Sequence, residues 1–312
     1  MTRWAGFDVG GQAVKAVLAD RNGQVHAHGR RLTGLDCDAD RLGAAITGLL
    51  EEFSSVHTVA QGIGVGIAGV MGVDGILHGS PNLPKLVGTC VREDLVRSVG
   101  RPLTVDNDAS CAAFGEGLGG AGSGVDDYVL VTLGSGVGSG LVIGGRVYHG
   151  ATGYGCELGH TIIERNGRLC GCGNRGCLEA YVSESATRSI LKQRGGALAE
   201  AVARSVQEDA AGHTEALFAL ADRGDAEAPA LIAEMIEALG CGLASAVNLL
   251  DVTTVILGGG IAQGVLARRT QLEEAIAASL FARPIGEITL LAAVRGSDAG
   301  ALGAARLAMP SE

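Results

Sequence analysis

Three cysteines and a histidine crowd one stretch of this chain. His160 is followed by nine residues and then by Cys170-Gly171-Cys172-Gly173-Asn174-Arg175-Gly176-Cys177. Three thiolates and one imidazole are the four N/S donors that a tetrahedral Zn²⁺ takes, and with no coordination position left open such an ion is structural. The interspersed glycines let the backbone fold tightly around an ion. A redox pair usually has two residues between its cysteines, where here Gly171 stands alone. Unligated thiols are the other alternative, and Cys156 is close enough to rival one of the four as a ligand. Glu157 and Glu179 flank the loop. With a zinc-oriented His160 they could converge on sugar hydroxyls, because a carboxylate accepts bidentate hydrogen bonds. Each glutamate taken singly reads as a solvated surface charge.

A second group could move a proton. Asp106-Asn107-Asp108 stands before a helical stretch, and a carboxylate there could accept the proton of an attacking hydroxyl in phosphoryl transfer. Asn and Asp are also preferred helix N-caps. The roles are compatible, with Asn107 or Asp106 capping while Asp108 faces a substrate. Three glycine turns could hold phosphate. In Asp8-Val9-Gly10-Gly11 the N–H groups can approach an anion closely and the carboxylate can hold Mg²⁺ through water; alone it reads as a hairpin turn with an ordinary Asp. Thr132-Leu133-Gly134-Ser135-Gly136-Val137-Gly138 offers N–H groups and small hydroxyls in the same way. Gly258-Gly259-Gly260 follows a strand and would admit adenosine or an α-phosphate to a helix start, or is simply a strand-to-helix connection. Gly64-Val65-Gly66-Ile67-Ala68-Gly69 matches the dinucleotide-binding glycine pattern, but another turn follows it where that site needs a helix, so a Rossmann site is rejected. No P-loop sequence is present.

These residues need a scaffold, and the chain supplies material for one: 312 residues, 47% hydrophobic, enough for two lobes. Its 51 glycines follow no collagen-like period and imply many tight turns. The net charge of −10 with only 3% aromatics argues against a nucleic-acid partner, which demands clustered Lys and Arg. The N-terminus lacks the apolar stretch of about 7–15 residues of a signal peptide. Ser55–Val73 and Tyr128–Gly145 approach the roughly 18 residues of a membrane span, but repeated Gly breaks both, and they read as buried strands and turns. The expectation is a soluble cytoplasmic protein with no membrane partner.

Strand-like stretches cover Trp4–Val9, Val14–Ala19 and Gln24–Leu32, with a hairpin turn at Asn22-Gly23. Asp38–Phe53 has helical spacing, Gly62–Val70 and Leu103–Val105 read as strands, and Ala109–Glu116 as a helix. The opening plan then returns: strand Tyr128–Leu133, glycine turn, strand Gly138–Ile143, hairpin at Gly144-Gly145. This is a duplication in pattern of a β-hairpin-led α/β unit. From Ser183 the chain is mostly helical, with strands at Val255–Leu257 and Ile288–Leu291 and a last helix at Asp298–Met309. The lobe boundary is expected near Gly117–Gly124. That gives a small N-terminal lobe, 1–117, joined by the helix 298–312, and a large lobe, 118–297, carrying the loop 156–178.

Together these pieces resemble the ROK family of bacterial sugar kinases and sugar-responsive repressors. The resemblance rests on DVGG at Asp8–Gly11, NLP at Asn82–Pro84, DNDA at Asp106–Ala109, TLGSGVG at Thr132–Gly138, ELGH at Glu157–His160, CGCGNRGCLEAYVS at Cys170–Ser183 and LGGG at Leu257–Gly260. It implies an α/β, actin-like (ribonuclease H-like) ATPase fold with two lobes around a central cleft. It implies Asp108 as catalytic base, Asn82, Asn107, Asp108, Glu157, His160 and Glu179 as sugar ligands, and His160, Cys170, Cys172 and Cys177 as zinc ligands. His160 would then use one ring nitrogen for zinc and the other for a sugar hydroxyl. The nucleotide would meet Asp8, Gly10, Gly11, Gln12, Lys15, Thr132, Gly134, Ser135, Gly136 and Gly258–Gly260. Two positions depart from the family pattern: Gln12 where Thr usually follows the paired glycines, and Lys85-Leu86 where Gly-Trp often follows NLP. The implied activity is ATP- and Mg²⁺-dependent phosphorylation of a hexose, glucose at its 6-OH first, or another hexose or N-acetylhexosamine, by a dimer or tetramer. A sugar-sensing regulator without catalysis is the first rival; the family's repressors carry a helix-turn-helix ahead of this core, and here the glycine turn begins at residue 10. A hydrolytic ATPase of the actin or chaperone type is the second, and it has no need of the Cys₃His loop.

Overall fold

The computed structural model describes residues 2–57, 60–209 and 212–310. The chain forms two compact units, Met1–Leu130 with Gly140–Cys156 and Ala293–Glu312, and Val131–Ser139 with Glu157–Ala292.

In the first unit, β1 (Trp4–Val9) and β2 (Ala13–Ala19) pair antiparallel, and β3 (Val25–Leu32) returns along β2 after the turn at Asn22-Gly23. Helix α1 (Ala39–Val56) starts at Asp38, whose carboxylate accepts from Arg41 N, and buries Leu42, Ile46, Leu49, Leu50 and Phe53. Strand β4 (Gly62–Ile67) runs parallel to β1. The single strand read over Gly62–Val70 ends at Ile67, because Gly69 takes φ +139°, a conformation that side chains rarely adopt. The chain resumes as β5 (Val70–Met71), paired with β6 (Leu77–Gly79). Helix α2 (Val91–Val99), unforeseen in the sequence, buries only Val91 and Leu95. Strand β7 (Thr104–Asn107) pairs parallel with β4, and α3 (Asp108–Glu116) follows directly. The sheet order is β3-β2-β1-β4-β7. Phe7, Ile46, Leu49, Val65 and Ile67 centre the core on one face. On the other face lies the C-terminal helix Ala299–Leu307, at backbone contact: a Cβ on Gly6 would stand 1.8 Å from Ala301 O, and one on Gly64 1.8 Å from Ala304 O. The buried Glu116 carboxylate accepts from Ala121 N, Val294 N and Arg295 N, tying both following segments to α3.

A second sheet comprises β8 (Tyr128–Leu133), β9 (Val137–Ile143), β10 (Arg146–Val147), β11 (Thr254–Gly258) and β12 (Thr289–Ala292) in the order β10-β9-β8-β11-β12. Strand for strand this repeats the first sheet. The second unit, which includes β11 and β12, carries the helices α4 (Glu179–Val182), α5 (Glu184–Arg194), α6 (Gly196–Asp209), α7 (His213–Asp222), α8 (Ala228–Leu250), α9 (Ala262–Leu266) and α10 (Arg269–Ala277). Helix α8 is long and apolar enough to span a membrane, but it is mostly buried against its neighbours, as a core helix is.

Candidate active site

In the first unit the chemistry collects at the carboxyl ends of β1 and β7. Gly10 N donates to Ala13 O at 3.1 Å, and Thr33 holds the same turn, its hydroxyl on Gly10 O and its N–H on Gln12 O, each at 3.1 Å. Gly11 backs onto Asn82, whose Cβ and carbonyl oxygen would lie 3.1 Å from an added Cβ. Asn82 is exposed beside the turn, as are Gln12 and Lys15. Burial raises the Asp8 carboxyl above its ordinary value, and the Lys15 charge opposes it.

Asn107 is the N-cap of α3, its Oδ1 accepting from Ser110 N at 2.9 Å. Its Nδ2 donates to Gly69 O at 2.8 Å and to Asp108 Oδ1 at 3.1 Å. Asp108 Oδ1 also accepts from Ala109 N at 2.9 Å. The cap and the candidate base are therefore consecutive residues with separate tasks. Burial pushes the Cys111 thiol well up, and the negative charges of Asp106, Asp108 and Asp8 push it further. Three carboxylates thus act on one buried position in this unit.

In the second unit the other glycine turn follows Thr132. Gly134 N donates to Gly136 O at 3.0 Å, while Glu184 N and Ser185 N donate to Gly134 O and Ser135 O. Glu179 Oε2 accepts from Val137 N at 2.9 Å. This carboxylate, expected on the sugar, is therefore also a strut of the glycine turn, a contact that spacing in the sequence gave no sign of. An added Cβ on Gly259, at φ +86°, would lie 2.2 Å from Leu133 O, so the Gly258-Gly259-Gly260 turn abuts the residue that precedes Gly134. Glu215, not singled out in the sequence, stands beside Gly260.

His160 and Cys170, Cys172 and Cys177 are brought together, with one ligand atom from each lying within 4.8 Å of all the others. Cys156 is not in this group. Cys172 Sγ and Cys177 Sγ are 3.7 Å apart, and Cys170 Sγ is 3.8 Å from His160 Nδ1. A tetrahedron with Zn–S bonds of about 2.3 Å has edges of about 3.8 Å. The donor set and its spacing fit zinc. Nδ1 faces the thiols, so Nε2 is the ring nitrogen left to other partners. Gly176 makes the tight return possible, at φ +82° and with its α-carbon so close to Glu164 that a Cβ would overlap the carbonyl oxygen at 1.7 Å. Glu179 Oε1 lies 3.5 Å from Cys170 Sγ, which joins the thiol loop to the glycine turn through one side chain. Beside the loop, Glu157 keeps an exposed edge. Partial desolvation still raises its carboxyl above the ordinary value, with His160 opposing and Glu179 adding.

Two sheets of one strand order, each led by a hairpin with a glycine turn after its first strand, define an actin-like ATPase fold. The chain belongs to the ROK family, whose model matches residues 4–310. It is 32% identical over 307 residues to the glucokinase of Thermotoga maritima, covering 97% of this chain and 96% of that enzyme. It is equally 32% identical over 306 residues to an N-acetylmannosamine kinase of Escherichia fergusonii, covering 97% of each. The crystal structure of a ROK family glucokinase from Streptomyces griseus in complex with glucose and AMPPNP superposes with a TM-score of 0.81 at 30% identity, covering 98% of this chain and 99% of that one.

Proposed function

We propose that this protein transfers the γ-phosphoryl group of ATP to the 6-OH of glucose, with Asp108 as general base. That it is an ATP-dependent sugar kinase follows from its family and from glucokinase relatives matched along nearly its whole length. In the step, the sugar oxygen attacks the γ-phosphorus, the bond to the β,γ-bridging oxygen breaks, ADP leaves and the hydroxyl proton passes to Asp108. The observation that carries the reading is the fixed Asp108 carboxylate. It heads α3, and two N–H donors on Oδ1 set its orientation. Positioning of this kind supplies much of the acceleration in phosphoryl transfer.

Asn82, Asn107, Glu157, His160 and Glu179 are proposed to hold sugar hydroxyls. The turns at Gly10-Gly11, Gly134–Gly136 and Gly258–Gly260 are proposed to hold the nucleotide. The hard oxygen donor Asp8 suits Mg²⁺, which when bound offsets charge on the transferring phosphoryl group. Zinc on His160, Cys170, Cys172 and Cys177 would fix the imidazole's orientation. A dimer or tetramer working in the cytoplasm completes the proposal.

The test is ADP production across glucose, mannose, fructose, N-acetylglucosamine and N-acetylmannosamine, with metal analysis of the same sample. Glucose should turn over fastest and Asp108→Asn should lower kcat by about 10²–10⁴-fold. A variant with near-native turnover removes Asp108 from the role. N-acetylmannosamine is the second reading, favoured by a relative of that specificity at the same identity as the glucokinase, and preference for it in the panel would replace glucose. ADP release indifferent to every sugar would refute the kinase.

A further inference from the structure

We propose that His149 is a positioning residue for Asp108, acting through Asp106 and Asn107. The inference rests on the reading of Asp108 as the base. His149 lies just beyond β10, 43 residues from Asp106 in sequence, and its Nε2 is 2.7 Å from Asp106 Oδ2. Asp106 is buried in β7, and its other oxygen, Oδ1, accepts from Asn107 N at 2.7 Å. Asn107 in turn donates from Nδ2 to Asp108 Oδ1. One line of hydrogen bonds thus runs from the imidazole through a buried carboxylate to the residue whose side chain sets the candidate base.

The line has a physical reason to be stiff. A buried carboxylate stripped of a donor must find water or turn away, since an unpaired charge costs several times what an unpaired neutral group does. Asp106 turning away would release the N–H of Asn107, and with it the amide that steers Asp108. The Asp106 hydrogen bond raises the His149 pKa, against the pull of burial, so the contact is charge-assisted over a wider pH range than an ordinary histidine would give. The backbone around His149 is itself held, Tyr148 N on Leu141 O at 2.8 Å and Gly155 N on His149 O at 3.0 Å. His149 needs no contact with either substrate to act in this way.

The experiment compares His149→Ala, His149→Gln, Asp108→Asn and the double variant His149→Ala/Asp108→Asn, using ATP and the hexose turned over fastest by the full chain. His149→Ala should lower kcat by about 10–100-fold, the scale of a misplacement of about 1 Å, with both KM values within about threefold. His149→Gln puts an amide donor near the place of Nε2 and should recover at least about tenfold of the largest loss. In the double variant, His149→Ala should cost nothing further beyond Asp108→Asn. Unchanged kcat in His149→Ala beside an inactive Asp108→Asn overturns this inference alone. So does a KM rise at constant kcat, a Gln variant no better than Ala, or full additivity in the double variant. An active Asp108→Asn overturns the base reading itself. A thermal midpoint measured for each variant separates loss of turnover from loss of fold.

Discussion

The two glycine turns at matching places in the two sheets share a plan and differ in what holds them. The turn after β1 is secured from its own sheet, by Ala13 and by Thr33 just past β3. The turn after β8 is secured from outside its sheet, by Glu179, Glu184 and Ser185, which follow the thiol loop in the chain. Duplicated strands thus preserved the backbone path but not its anchorage. The first turn stands on local pairing, and the second hangs on the Cys₃His loop through Glu179, which reaches both.

That difference breaks if disrupting the Cys₃His cluster spares the second turn. Cys177→Ser, or prolonged chelation, should lower activity by on the order of 10–100-fold and raise the KM for ATP. Steady-state kinetics with metal content determined in parallel would check it. An effect on sugar KM alone would say that the loop does not support the turn. Next in size, Gly134→Ala should raise the KM for ATP about tenfold with an unchanged melting temperature, because its Cβ would meet no protein atom within 4 Å and would stand where a phosphate is proposed to sit. Gly11→Ala should cost about 1 kcal/mol of stability, since its Cβ would press on Asn82 at 3.1 Å. Thermal melts and ATP titrations of the pair sharpen the contrast.

A pH dependence comes third. Burial disfavours the Glu184 anion, but the N–H groups of Thr214 and His213 and their side chains outweigh it and hold the carboxyl below 4.5. A depressed native pKa contributes stability that is present above 4.5 and lost as pH falls through the lower folded value. Wild type should therefore lose more stability than Glu184→Gln on acidification through that window, by about 1 kcal/mol. Equal acid limbs in urea titrations would contradict it. Smallest is Thr33→Val, which removes the hydroxyl from Gly10 O and should cost about 1 kcal/mol or less in a thermal melt, leaving the second turn's hydrogen bonds untouched.

Much of this is legible in the sequence. Hairpin and glycine-turn spacing placed β1, β2, β8 and β9 within a residue, and the Cys-Gly-Cys run with His160 named its own cluster. What escaped were features fixed by contacts distant in sequence. The break at Gly69 is set by Gly79 and Ser80 packing against it. Helix α2 shows the core two side chains, too few for a periodic signal. The family resemblance implies Glu179 as a sugar ligand, but a residue pattern does not reveal that its Oε2 meets Val137 N, 42 residues earlier. Likewise nothing in the order of residues couples His149 to Asp106.

The seating of Ala299–Leu307 bears on how the protein is born. Glycines at 6, 64, 115 and 303 let that helix touch the first sheet and α3 backbone to backbone, at distances that a side chain on any of the four would forbid. During synthesis that face of the earliest strands stays bare until residues 299–307 have been made, long after the segments that pack the sheet's other face. A released chain truncated after residue 298 should expose its opening strands to protease while the second unit stays shielded, which makes residues 299–307 a latch on the first sheet.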